Sequence, residues 1–137
     1  MSDTRHPSEY FTQLAQEVIE REPELEFLKR APITIVYLES SHAKKNKGKW
    51  VLGQCEKVQE KNKWGIPADF TITIFEPNTA GMTEEQYKIL LFHELLHIGA
   101  DYKSTAPHDL EDFKVVIDRY GTDWAKHTDP RVNPVLN

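Results

Sequence analysis

Apolar residues at Phe11, Leu14, Ala15, Val18 and Ile19 recur at the i, i+3, i+4, i+7, i+8 spacing of one helix face, just behind Ser8, a residue suited to an N-cap. The pattern predicts an amphipathic helix ending near Pro23, and Pro23 can open one further short turn through Leu28. The run "PITIVYL" is β-branched, aromatic and apolar on both faces, which predicts an interior strand over 33–38. "SSHAKKNKGK" has no period and reads as a loop. "WVLGQCEKV" resumes strand-like composition with Gly53 inside it, so a hairpin between residues 33 and 58 is expected. "DFTITIFE" alternates Phe70, Ile72 and Ile74 with Thr71 and Thr73, the period of a half-buried strand, before "PNTAG" breaks the chain.

The second half turns helical. Thr83 stands as an N-cap before Glu84 and Glu85, acids that the helix dipole favours in a first turn, and Gly99 sits where a C-terminal cap is expected. These signals predict a helix over about 84–98. Asp109 followed by Asp112 resembles a capping box, and Leu110, Phe113, Ile117 and Tyr120 continue at helical spacing up to Gly121, predicting a last helix over 110–120. The resulting fold class is α+β: a small sheet of three or more strands packed against an N-terminal helix and the 84–98 helix, with a C-terminal helix. At 137 residues one domain is expected over 1–137, with a core at about 8–124 and an extended tail at 125–137.

Composition changes this picture little: 39% hydrophobic and 28% charged residues belong to an ordinary folded chain. The lone Cys55 cannot form an internal disulfide, and "MSDTRHPSEYF" lacks the basic-then-apolar pattern of a secretion signal, so a reducing, cytoplasmic setting is the expectation. No apolar run reaches the roughly 18–20 residues that span a bilayer. Charge is uneven. Residues 44–63 carry seven lysines against Glu56 and Glu60, a local +5 in a chain of net −5. Lys44, Lys45, Lys47 and Lys49, flanked by Trp50 and Trp64, are candidates for nucleic acid contact; a solvated loop is the more frequent role of such a run.

Candidate chemistry concentrates in "LLFHELLHIGADYKSTAPHDLEDF", which places His93, His97 and His108 within sixteen positions. Residues four apart on a helix differ by about 40° in direction and about 6 Å along the axis, so His93 and His97 can chelate one ion. Glu94 lies beside them without competing for the ion, within reach of a water bound to it. Zinc suits two imidazoles and a third protein ligand, leaving an open position for a water whose pKa falls toward about 7. Glu94 would take that water's proton. The alternative is a plain core helix with Leu90, Leu91, Leu95 and Leu96 buried, which has to place a charged Glu94 among leucines at considerable cost.

His108 is the best candidate for the third ligand, on a loop end past the turn at Gly99, with ten residues between it and His97. Glu111, Asp112 and Asp101 could substitute as oxygen ligands. First-turn placement suits Glu111 and Asp112, and Asp101 suits solvent or a supporting bond to a histidine. Tyr102 could stabilise an oxyanion or simply pack.

From "LGQCEKV" through "ADFTITI", "TEEQYKILLFHELLHI" and "PHDLEDFKVVIDRYG", about residues 33–124, the chain resembles the phage-type metallopeptidases, relatives of the SprT-like zincins. The resemblance implies a zincin-like fold, zinc held by His93, His97 and His108, Glu94 as catalytic acid/base, and a peptide or protein substrate. Ala100 and Lys103 stand where metzincins have glycine and their third histidine, which excludes that subclass. Zincins bind an extended peptide along an edge strand, and here "DFTITIFE" or "WVLGQCEKV" could serve. The competing expectation is a catalytically silent module in which zinc ties segments together, or a nucleic-acid-associated module of a mobile element.

Overall fold

The computed structural model describes residues 5–59, 68–98, 114–121 and 134–135. Helix α1 (Glu9–Arg21) starts where the sequence places it: Ser8 Oγ accepts from the Phe11 amide at 3.1 Å. Its apolar stripe buries Phe11, Leu14, Ala15 and Val18. The expected extra turn is a 3₁₀ helix (Pro23–Lys29) that sinks Leu25 into the core.

Four strands form a mixed sheet. β1 (Arg5–Pro7) pairs antiparallel with β2 (Ile35–Ser40), β2 pairs parallel with β6 (Phe70–Phe75), and β6 pairs antiparallel with β5 (Gly53–Lys57), giving the order β1-β2-β6-β5. β2 is interior, as its two-sided apolarity implied, with its bounds two residues later than the 33–38 expected.

Two strand expectations need correction. The hairpin between residues 33 and 58 does not form, because β6 stands between β2 and β5. The strand with the most completely buried apolar face, Phe70, Ile72 and Ile74, takes the centre and separates the two that precede it. β6 is not half-buried either. Thr71 and Thr73 face the other side of the sheet yet are buried as well. Alternation reported the polarity of the two faces, not their exposure.

The lysine-rich stretch is more ordered than a loop. β3 (Lys45–Asn46) and β4 (Lys49–Val51) form a tight hairpin whose central Lys47 and Gly48 have φ of 53° and 79°, the double positive φ of a type I′ turn. β4 also pairs with β7 (Pro134–Val135). After β6, the four-residue α2 (Glu76–Thr79) carries Asn78, whose side-chain amide donates to the carbonyls of Lys44 and Val51 at 2.9 and 2.7 Å and clamps the base of this hairpin.

α3 (Glu84–Leu95) opens with a full capping box: Thr83 Oγ1 accepts from the Gln86 amide at 3.1 Å, and Gln86 Oε1 accepts from the Thr83 amide at 2.8 Å. Every residue from Ile89 to Leu95 is buried, so this helix lies at the centre of the core, packed on α1 and β5. Burying each Leu or Phe side chain there contributes about 1.5–3 kcal/mol. α4 (Lys114–Tyr120) corresponds to the end of the helix expected over 110–120; residues 110–113 lie outside the described residues. It is tied to the rest through Glu22, which accepts from Arg119 and Tyr120.

Candidate metal centre

α3 ends as an α-helix at Leu95, earlier than the 98 expected, and tightens into 3₁₀-like turns: His97 N–H donates to Glu94 O and Ile98 N–H to Leu95 O, each at 3.1 Å. His93 therefore sits in the last α-helical turn and His97 in the tightened one. Their imidazole rings stand 5.2 Å apart between centroids, inclined at 78°. One ligand atom from each of His93, Glu94 and His97 falls within 4.8 Å of the others, a spread that a single cation can bridge. Among the described residues this is the only group of histidine, cysteine and acidic side chains so converged.

Burial sharpens the chemistry. His93 and Glu94 are both 0% exposed, and His93 Nε2 lies 3.9 Å from Glu94 Oε2. An ionised carboxylate at this depth is costly without opposing charge or hydrogen bonds, and a dication beside it offsets that cost. Two imidazole nitrogens are donors that suit zinc and other borderline divalent ions, with the Glu94 carboxylate beside them as an opposing charge. The residues therefore fit a metal. His97, half-buried, marks the side of the cluster nearest solvent.

The wall opposite Glu94 is β5. Gly53 faces the carboxylate directly, and the Cys55 thiol is pushed well above its ordinary range, mainly by burial and secondarily by the Glu94 and Glu56 carboxylates. Cys55 is thus a protonated, apolar wall residue packed against the core, matching its expected role as a small side chain on a strand. The sequence drew attention to Gly53 as a glycine within a strand but assigned it no partner.

Of the two strands considered as a peptide-binding edge, β6 has neighbours on both sides, whereas β5 is the outer strand of the four-stranded sheet among the described residues. His108, Asp101, Tyr102, Glu111 and Asp112 lie outside the described residues. In the basic hairpin, Lys44 donates to Gln54 and lies over the Phe75 ring, and Lys45 sits 4.2 Å above the Trp50 ring, so two of the four lysines are engaged within the chain. No described helix is long and apolar enough to cross a membrane.

An α+β chain whose central helix presents two histidines and an acid to one point has the makings of a metallohydrolase. The comparison with protein families agrees: residues 5–130 match the model described as "Putative phage metallopeptidase", and the chain belongs to that family. No curated protein and no solved structure matched it.

Proposed function

We propose that this protein is a zinc-dependent metallopeptidase of the zincin type, with His93, His97 and His108 as metal ligands and Glu94 as the general base. The observation that carries this reading is the convergence of the His93, Glu94 and His97 ligand atoms within 4.8 Å, in a chain of a metallopeptidase family. Zinc bound there supplies Lewis acidity toward the scissile carbonyl and acidifies water. The residues do the rest. Glu94, held in a dry wall between α3 and β5, takes the proton of the attacking water and passes it to the leaving amide nitrogen. Its burial keeps bulk water from competing for that proton.

An extended substrate fits the outer edge of β5, where main-chain hydrogen bonds would lay a peptide alongside the strand that carries Gly53. Tyr102, Asp101 and Asp112 enter the same proposal as accessory groups.

The test uses the full chain loaded with zinc and a panel of fluorogenic peptides. Glu94→Gln should keep stoichiometric metal and lose turnover by at least about a hundredfold, the lower end of the range for a general base. His108→Ala should sharply reduce zinc occupancy. Equal turnover in Glu94→Gln removes the general base from the mechanism, and full zinc retention in His108→Ala moves the third ligand to Glu111, Asp112 or Asp101. A parent that binds zinc through four protein ligands and cleaves nothing hands the assignment to the catalytically silent module.

A further inference from the structure

We infer that Gly53 is a positioning residue for Glu94: its missing side chain creates the space in which the Glu94 carboxylate rests. The inference deepens the peptidase reading and rests on it for its catalytic consequence. A methyl group at position 53 would stand 3.2 Å from Glu94 Oε2, 3.4 Å from Glu94 Cγ and 3.3 Å from the Thr73 carbonyl oxygen. The separations from Glu94 Oε2 and from the Thr73 oxygen are tighter than a methyl ordinarily accepts, and that from Glu94 Cγ is at the edge of ordinary contact. Something has to yield by a few tenths of an ångström.

The neighbours differ in how they can yield. The Thr73 carbonyl belongs to β6, which is hydrogen-bonded on both sides by β2 and β5, so it is held in a ladder. The Gly53 backbone is itself held in register opposite Ile74. Glu94 is the remaining member, a side chain with rotatable bonds, and it has no solvent to retreat into because it is fully buried. Phe92, His93 and Leu95 around it are fully buried too. A side chain at 53 therefore turns the carboxylate within its pocket and changes its place relative to His93 and His97.

Glycine is not required at this position by backbone conformation, since Gly53 does not have the positive φ found at Gly48, Gly81 and Gly121. The requirement is space alone. Gly53 opens β5 just after the break at Leu52, and close approach of another group is one of the few reasons for a glycine in a strand. Proton transfer is sensitive to such placement: a misplacement of about 1 Å can cost about a hundredfold in rate.

A double-mutant cycle on the full chain tests this with two readouts. In thermal melts, Gly53→Ala should lower the parent's Tm by several degrees and that of a Glu94→Ala background by clearly less, because there only the contact with the Thr73 carbonyl remains. In kinetics of the zinc-loaded protein, Gly53→Ala should lower kcat about ten- to a hundredfold with KM and zinc affinity unchanged. It should cost nothing further in a Glu94→Gln background. Equal Tm losses in both backgrounds would overturn the inference whatever the activity, as would an unchanged kcat in an active parent. A parent that shows Tm coupling and no turnover refutes the peptidase reading while leaving the seating of Glu94 by Gly53 established. A change in KM alone reassigns Gly53 to substrate binding on β5 and sinks the positioning role.

Discussion

Replacing Glu22 with glutamine probes the junction of α1, the 3₁₀ helix and α4. Glu22 is 2% exposed and accepts hydrogen bonds from Arg21 Nε at 3.0 Å, from Arg119 Nη1 and from Tyr120 Oη. Arg119 also forks onto Glu24 at 2.9 and 3.0 Å, and Arg21 onto Glu85 at 2.9 and 3.1 Å, so α3 is drawn into the same network. Glutamine keeps the shape, removes the charge and turns an N–H₂ group toward donors. Each hydrogen bond to a charged group is worth about 1.5–3 kcal/mol. The three do not simply add, because the Arg21 and Arg119 side chains are 36% and 34% exposed and water recovers part of the loss. The expected cost is about 2–4 kcal/mol, or a Tm lower by roughly 6–15 °C in a chain of this size. Circular dichroism melts of the full chain measure it, with Glu24→Gln as the more exposed control expected to cost less than about 1 kcal/mol. A Glu22→Gln Tm within about 2 °C of the parent, or equal losses in the two variants, would refute the reasoning.

Three further expectations are cheaper to check. Burial raises the Cys55 thiol, so iodoacetamide at mildly alkaline pH should label it far more slowly in the native protein than in denaturant; equal rates would contradict its place in the wall. Tyr120 is pushed up to about 12 from 10.0, first by burial and then by its bond to Glu22, so the unfolded chain ionises before the folded one as pH rises. That stabilisation is fully present below about pH 10 and lost as pH rises through about 12, and Tyr120→Phe should flatten this limb of a pH–stability curve. Oligonucleotide contact through Lys44, Lys45, Lys47 and Lys49 would weaken steeply as salt rises and on neutralising Lys47 and Lys49, the two lysines without a described internal contact; salt-independent retention would remove the hairpin from any nucleic acid role.

What could be read in the sequence was local. Ser8 and Thr83 announce their helices because a cap is satisfied within three residues, and both hydrogen bonds are present. His93 and His97 meet because four residues of helical chain bring them together whatever surrounds them. Strand order was not legible: nothing in "PITIVYL" or "WVLGQCEKV" says that a later strand will come between them, since that choice is made by competition among buried faces. The I′ turn at Lys47 and Gly48 was visible as a lysine–glycine pair after Asn46 but was masked by the charge around it. Gly53 stood out as an anomaly within its strand, yet its partner lies on another element and only the fold pairs them.

The central place of β6 also constrains how the chain comes together. Until Phe70–Phe75 leaves the ribosome, β2 and β5 have no partner strand between them, and the sheet cannot join its two halves. The helix with His93 and Glu94 begins at Glu84, so backbone closure and the meeting of His93 with His97 fall in the same stretch of synthesis. Fragments that stop short of that strand should resemble loose hairpins with sticky margins, a poor choice for expression trials and a ready substrate for quality-control proteases.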